Sequence, residues 1–179
     1  MSKNYAVVRT DNMSGVDDRS QLVSIRYMGA DGATPTAIEN GNVLKVGLPI
    51  QNADNSYERE IRVGATPAAG DSLDEIVLIA TPELLYDPRL KALDDFRNEA
   101  NGKPARGYRL HNGDQFSVTK NALDGVATPA VGNIVELKAG TKLNVAASLT
   151  SNSTQVGVIT DIATAGAYTF YTVTVGEIA

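Results

Sequence analysis

The chain alternates short apolar runs with clusters of Gly, Asn and Asp, and this rhythm predicts a β-rich protein. Several runs alternate apolar and polar side chains, as half-buried antiparallel strands do. Residues 76–80 are apolar throughout, which favours a strand that is buried on both faces. The predicted strands fall at residues 5–10, 22–28, 42–46, 60–63, 75–80, 108–110, 115–119, 134–137, 142–146, 155–161 and 168–175.

One segment has helical spacing instead. Asp87 followed by Pro88 is typical of an N-cap with proline in the first turn, and the Asn-Gly pair at residues 101–102 is typical of a helix end. Between them the apolar side chains recur at helical intervals, at Leu90, Leu93, Phe96 and Ala100. This pattern predicts an amphipathic helix over about residues 88–100, which either covers one side of a sheet or docks on a partner.

The patterns together predict a mainly β fold, an antiparallel barrel-like or sandwich-like body with one short amphipathic helix. Residues 112–179 hold 10 of the 15 threonines but only 8 of the 37 charged residues. The best boundary is the linker at residues 101–104. We therefore expect a β-rich N-terminal region with a helical insert over residues 1–104 and a Thr-rich β region over residues 105–179. The two regions could also form one continuous domain.

A short sequence pattern occurs twice in the chain, and we call it the internal echo. An Asn-Gly turn or its equivalent precedes a strand at residues 40–46 and again at residues 112–118. The tetrapeptide Ala-Thr-Pro-Ala then occurs at residues 65–68 and at residues 127–130, each ahead of a glycine turn. Either the two halves arose by duplication, or β proteins simply reuse the same turn chemistry.

Composition removes whole classes of chemistry. The 179 residues include no Cys, no Trp and one His, so disulfides, thiolate metal sites, cysteine nucleophiles and histidine-rich zinc sites are excluded. We expect no cofactor and no metal. The formal net charge of -5, without a basic run, argues against nucleic-acid binding. No apolar stretch approaches 18 residues and the first residues lack an apolar secretory core, so no membrane span or secretion signal is expected.

Catalytic patterns are weak. His111 lies at a predicted turn, and no Gly-x-Ser-x-Gly motif accompanies it. The adjacent carboxylates at residues 17–18 and 94–95 do not converge on one face, and no calcium-loop spacing surrounds Asp11. An exposed turn histidine and solvated carboxylates are the simpler interpretation. The sequence therefore predicts a protein that is not an enzyme, and a carboxylate-dependent hydrolase stays a minor alternative.

Residues 6–13, 83–87 and 105–119 resemble segments of small structural proteins encoded beside the major capsid protein of tailed bacteriophages. Residues 132–137 and the final Thr-rich strand are similar in style to phage head-decoration, or cement, proteins. The resemblance implies a non-enzymatic virion protein that binds the major capsid protein on the outer capsid surface. It also implies synthesis in the bacterial host cytoplasm and a homo-oligomer, with a trimer favoured.

The N-terminal segment is the candidate capsid-contact arm, because a terminal arm or an added strand suits a repeated lattice. The candidate contact residues in it are Tyr5, Val7, Arg9, Asp11 and Asn12. The plainer interpretation is a first strand followed by a loop. A different function stays open as the alternative, a β-sandwich adhesion module that binds host-surface glycans through exposed aromatic side chains in a shallow groove.

Overall fold

The computed structural model describes residues 4–52, 54–83 and 92–176, which contain twelve strands in two sheets. The strands in the first part of the chain are β1 (Val8–Asn12), β2 (Leu22–Tyr27), β3 (Val43–Gln51), β4 (Tyr57–Ala65), β5 (Ile76–Ile79) and β6 (Ala105–Arg109). Those in the second part are β7 (Gln115–Thr119), β8 (Leu123–Gly125), β9 (Ile134–Glu136), β10 (Leu143–Ala146), β11 (Gln155–Ala165) and β12 (Tyr168–Val175). The mainly β class is confirmed, and each predicted run overlaps a strand.

Five strands close into a barrel in the order β2-β4-β3-β5-β6. The β2–β4 pair is parallel, and the remaining pairs are antiparallel. The interior is filled by a small apolar cluster that includes Ile25 and Leu44, both fully buried. A side chain at Gly64 would place its Cβ 2.8 Å from Leu44 Cδ1 and 3.0 Å from Ile25 Cγ1. Glycine at this position therefore lets the barrel close on its core.

The other seven strands form a curled half-barrel in the order β1-β7-β12-β11-β9-β10-β8. All neighbours are antiparallel except β8 and β10. The first strand, β1, lies at one edge, next to β7, although more than a hundred residues separate them in sequence. The N-terminal segment is thus a structural part of the sheet built by the C-terminal region.

β5 explains how the two sheets are joined. Ile76 and Leu78 belong to the large core cluster that also contains Phe116 and Val173 of the seven-stranded sheet. The alternate residues Val77 and Ile79 belong to the small cluster inside the barrel. All four side chains are fully buried, so the prediction of a strand buried on both faces is confirmed. Because successive side chains of a strand point to opposite faces, β5 serves two cores at once.

The predicted helix at residues 88–100 is wrong where the structure describes it. Residues 88–91 lie outside the described part of the chain, and a 3-10 turn, Leu93–Asp95, stands in place of the rest of the helix. The backbone then extends and forms a bridge between Asn98 and Ile38. The α-helix in the described residues is a four-residue one, α1 (Ser14–Asp17).

The sheets divide the sequence differently from the predicted regions. β6 pairs with β2 and β5 in the barrel, and β1 joins the seven-stranded sheet. One core cluster combines residues from both sheets. The division at residue 104 stays a prediction. The internal echo has no common pairing: β3 lies beside β5, whereas β12 and β11 separate β7 from β9.

Candidate functional site

The N-terminal segment places its predicted contact residues at one edge of the seven-stranded sheet, where they differ in burial. Val7 is buried, and its N–H donates to Thr119 Oγ1 at 3.0 Å. Arg9 is exposed, and its guanidinium carbon lies 5.2 Å from the centre of the Phe170 ring. Asp11 accepts a hydrogen bond from the Ser117 hydroxyl. Asn12 is exposed and pairs in register with Gln115.

Tyr5 lies before β1 and is fixed by the turn that replaces the predicted helix. Its N–H donates to Asp94 O at 2.9 Å, and the Arg97 guanidinium carbon lies 5.1 Å from the centre of its ring. The next residue, Ala6, donates its N–H to Glu39 Oε2 at 2.9 Å. These bonds hold the residues before β1 in place, so the segment is a strand whose preceding residues are also fixed.

One edge of β1 pairs with β7, and the other edge faces away from β7. The Thr119 N–H donates to Val7 O at 3.0 Å, and the next pair in register is Val8 with Val118. Because hydrogen-bonded and non-bonded pairs alternate in an antiparallel ladder, the N–H and C=O of Val8 point to the other side of β1. There they face an open recess of about 230 Å³, whose lining includes Arg9, Thr10 and Tyr108.

Helix α1 is held against the start of β7 by a buried carboxylate. Asp114 is 3% exposed, and its Oδ1 accepts from the Ser14 N–H at 2.8 Å and from the Ser14 hydroxyl at 2.6 Å. Its Oδ2 accepts from the His111 N–H at 3.0 Å. Asp114 therefore fixes the position of the short helix, which four residues could not hold by themselves.

Beside α1 lies a wider depression of about 630 Å³, which we call the arginine groove. Its lining consists of two arginines, Arg19 and Arg106, together with Thr10, Gly15, Val16, Leu22 and Tyr108. The groove and the recess along β1 share Thr10 and Tyr108, so they adjoin. A Cβ at Gly15 would lie 2.7 Å from Tyr108 Cδ1, which shows how closely the helix packs on the Tyr108 ring.

A second depression, of about 650 Å³, lies at the other end of the N-terminal segment, and we call it the tyrosine depression. Its lining includes Tyr5, Tyr168, Tyr171, Asn121 and Lys120. The Tyr168 hydroxyl donates to Asp94 Oδ1 at 3.0 Å. Burial and this hydrogen bond raise the pKa of Tyr168, so the phenol stays protonated and keeps donating.

The residues considered as weak catalytic candidates make contacts within the fold. His111 is partly exposed, and its Nδ1 lies 3.8 Å from Asp114 Oδ2. Asp18 accepts from the Ser20 N–H and hydroxyl, and these bonds lower the pKa of Asp18. Within residues 4–52, 54–83 and 92–176, no three His, Cys, Asp or Glu side chains gather as metal ligands would. In the same ranges no helix is long and apolar enough to span a bilayer.

Comparisons with known proteins do not identify a family for this chain. No protein-family model matches the chain, and neither the curated proteins nor the solved structures contain a match.

The sequence-based site prediction included Arg9 of the adjoining recess but none of the residues that line the arginine groove. Arg9 was among the predicted contact residues, whereas Arg19 and Arg106 were not. These two arginines are far apart in the chain and come together because β6 pairs with β2, directly after the turn that carries Arg19. No signal in the sequence singles out these two arginines, because Arg19 directly follows Asp17 and Asp18 and net charge does not distinguish one arginine from another.

Proposed function

We propose that this protein is a non-enzymatic virion component that decorates and stabilises a bacteriophage head by binding the lattice of the major capsid protein. It acts on the outer capsid surface after synthesis in the host cytoplasm, as a homo-oligomer, with a trimer favoured. The observation that carries this proposal is the resemblance of residues 6–13 and 105–119 to capsid-associated structural proteins.

The structure adds support because the resembling segments are neighbours in space. β1 pairs with β7, and Tyr108 of β6 lines both the recess along β1 and the arginine groove. Segments that are distant in sequence thus form one surface. A surface of this kind is suited to a partner that presents the same contact many times, since neighbouring attachments raise the effective concentration of each.

Binding to undecorated phage shells tests the proposal. We expect the purified protein to cosediment with such shells, to saturate at a fixed number of copies per shell and to appear on the outer surface in electron micrographs. Shells whose decoration sites are already occupied serve as the control and should take up little protein. Absence of binding across several related shells would contradict the proposed function. Sedimentation of the free protein measures its oligomeric state.

A specific observation also favours the second candidate, a module that binds host-surface glycans. The tyrosine depression gathers Tyr5, Tyr168 and Tyr171, which are three of the seven tyrosines in the chain. Aromatic faces pack against the apolar faces of sugar rings, and amide groups such as that of Asn121 can bond to hydroxyl groups.

A glycan array tests this candidate. If sugars bind in the depression, a variant with Tyr5→Ala and Tyr168→Ala should bind about tenfold more weakly, since two aromatic contacts are removed. Tyr57→Ala is the matched control, because Tyr57 is 54% exposed on β4, outside the lining of the depression. A chain that binds no glycan, or a double variant that binds as well as the parent, would eliminate the glycan function.

A further inference from the structure

The arginine groove has an unusual charge for this protein. Its lining contains Arg19 and Arg106 and no carboxylate, in a chain whose formal net charge is -5. Asp18, the residue before Arg19, has its carboxylate engaged by Ser20. Among the residues that the structure describes, neither guanidinium has a hydrogen-bond or ion-pair partner. Two such cations beside one depression favour a ligand that carries negative charge.

Apart from Thr10, the rest of the lining is apolar, aromatic or glycine. Val16 is 56% exposed, an unusual exposure for a valine, and Leu22 and the Tyr108 ring complete an apolar floor. A small inorganic anion would leave this surface uncovered. A peptide segment with alternating acidic and apolar side chains would cover it and bring its carboxylates to the arginines.

The adjoining recess provides the third feature, a strand edge. The N–H and C=O of Val8 face this recess, as the register with β7 requires. An extended segment that enters along β1 could therefore continue the sheet with backbone hydrogen bonds, while its side chains reach the arginine groove. Glu83 lines the recess, so the cationic part of the surface is the arginine groove itself.

We propose that the arginine groove and the adjoining edge of β1 bind an acidic extended peptide segment of a partner protein. The identity of the partner rests on the proposed function, under which the segment belongs to the major capsid protein. The chemistry of the segment rests only on the surface itself. The segment needs carboxylates to pair with Arg19 and Arg106 and apolar side chains to contact Val16 and Leu22. Its backbone must be able to form hydrogen bonds with the edge of β1.

The experiment uses the isotope-labelled full chain and a capped peptide of alternating Glu and Val, followed by NMR. We expect amide signals of Thr10, Val16 and Tyr108 to shift with the Glu-Val peptide and not with a matched Lys-Val peptide. The double variant Arg19→Ala and Arg106→Ala should bind about tenfold more weakly, since two exposed ion pairs are lost. Equal binding of both peptides, or shifts confined to other surfaces, would overturn the proposal.

A matched control separates the groove from overall charge. The variant Arg59→Ala and Lys138→Ala removes two exposed cations outside the groove and should keep the parent affinity. Equal weakening in this control would overturn the proposal, because the effect would then be general electrostatics. A single-stranded oligonucleotide that competes fully for the groove would also overturn it, since the site would then accept any polyanion.

Shell binding distinguishes this inference from the proposed function. If shells bind the parent and the double variant equally, the groove is not the capsid contact and the inference fails while the function stands. If the Glu-Val peptide binds in the groove and no shell binds, the proposed function fails and the acidic-peptide site stands. Loss of both shell and peptide binding in the double variant supports the two together.

Discussion

Glu136→Gln should lower the free energy of unfolding by about 3 kcal/mol at pH 7. Glu136 is 1% exposed in β9 and accepts three hydrogen bonds. Its Oε1 accepts from Asn144 Nδ2 at 2.7 Å and from the Thr150 hydroxyl at 2.6 Å, and its Oε2 accepts from the Thr150 N–H at 2.7 Å. A glutamine must place its NH2 group against at least one of these donors, which leaves two donors facing each other.

The pH dependence follows from the same contacts. Burial alone would raise the pKa of Glu136, but the hydrogen bonds from Thr150 and Asn144 outweigh it and hold the pKa below the ordinary value. A lowered folded-state pKa means stability that is fully present above the unfolded pKa of about 4.3 and is lost as pH falls through the folded value. The difference between parent and Glu136→Gln should therefore shrink in acid.

Urea unfolding of both proteins at pH 7 and pH 3 checks this expectation. Glu60→Gln is the control, because Glu60 is exposed on β4 and should show a small effect at both pH values. A Glu136→Gln variant as stable as the parent at pH 7 would show that the loop carrying Thr150 does not depend on the carboxylate.

Asp114→Ala should cost about 2–3 kcal/mol of stability and should also loosen α1. The substitution leaves the Ser14 N–H, the Ser14 hydroxyl and the His111 N–H without their acceptor. Because α1 carries Gly15 and Val16, the wall of the arginine groove loses its fixed position. We expect faster amide hydrogen exchange at residues 14–18, beyond the rise caused by lower global stability.

The control for this prediction is Asp124→Ala, which removes an exposed carboxylate from β8. It should leave both the unfolding free energy and the exchange of α1 close to the parent values. Exchange at residues 14–18 that stays unchanged in Asp114→Ala would mean that the Tyr108 packing, rather than the carboxylate, holds the helix.

Strands were predictable because each depends on a short alternating pattern. Ser24 and Ile25 lie on opposite faces of β2 as their sequence indicates, one exposed and one fully buried. The helix at residues 88–100 failed because a local side-chain bond and a long-range backbone pairing take the place of helical hydrogen bonds in the described part. Asp95 Oδ2 accepts from the Ala92 N–H at 3.2 Å, and the Asn98 and Ile38 backbones exchange two hydrogen bonds of 2.9 Å. The pairing of Asn98 with Ile38 is long-range and leaves no periodic trace in the sequence.

The groove escaped prediction for a related reason. Periodicity indicates which residues share a face of a strand, but not which strand becomes its neighbour. The predicted contact residues of the N-terminal segment differ in burial, because Val7 is covered by the fold whereas Arg9 and Asn12 are exposed. Residues such as Arg106 acquired a role in the site only when β6 joined the barrel next to β2.

The position of β7 between β1 and β12 has a mechanical consequence. Both outer strands run antiparallel to β7, so they run parallel to each other. A force that pulls the start of β1 and the end of β12 in opposite directions loads both ladders in shear. Because the hydrogen bonds lie across the strands, many must break together rather than one after another. Tension applied in this direction therefore meets more resistance than a pull across the strands, which would break the hydrogen bonds one after another.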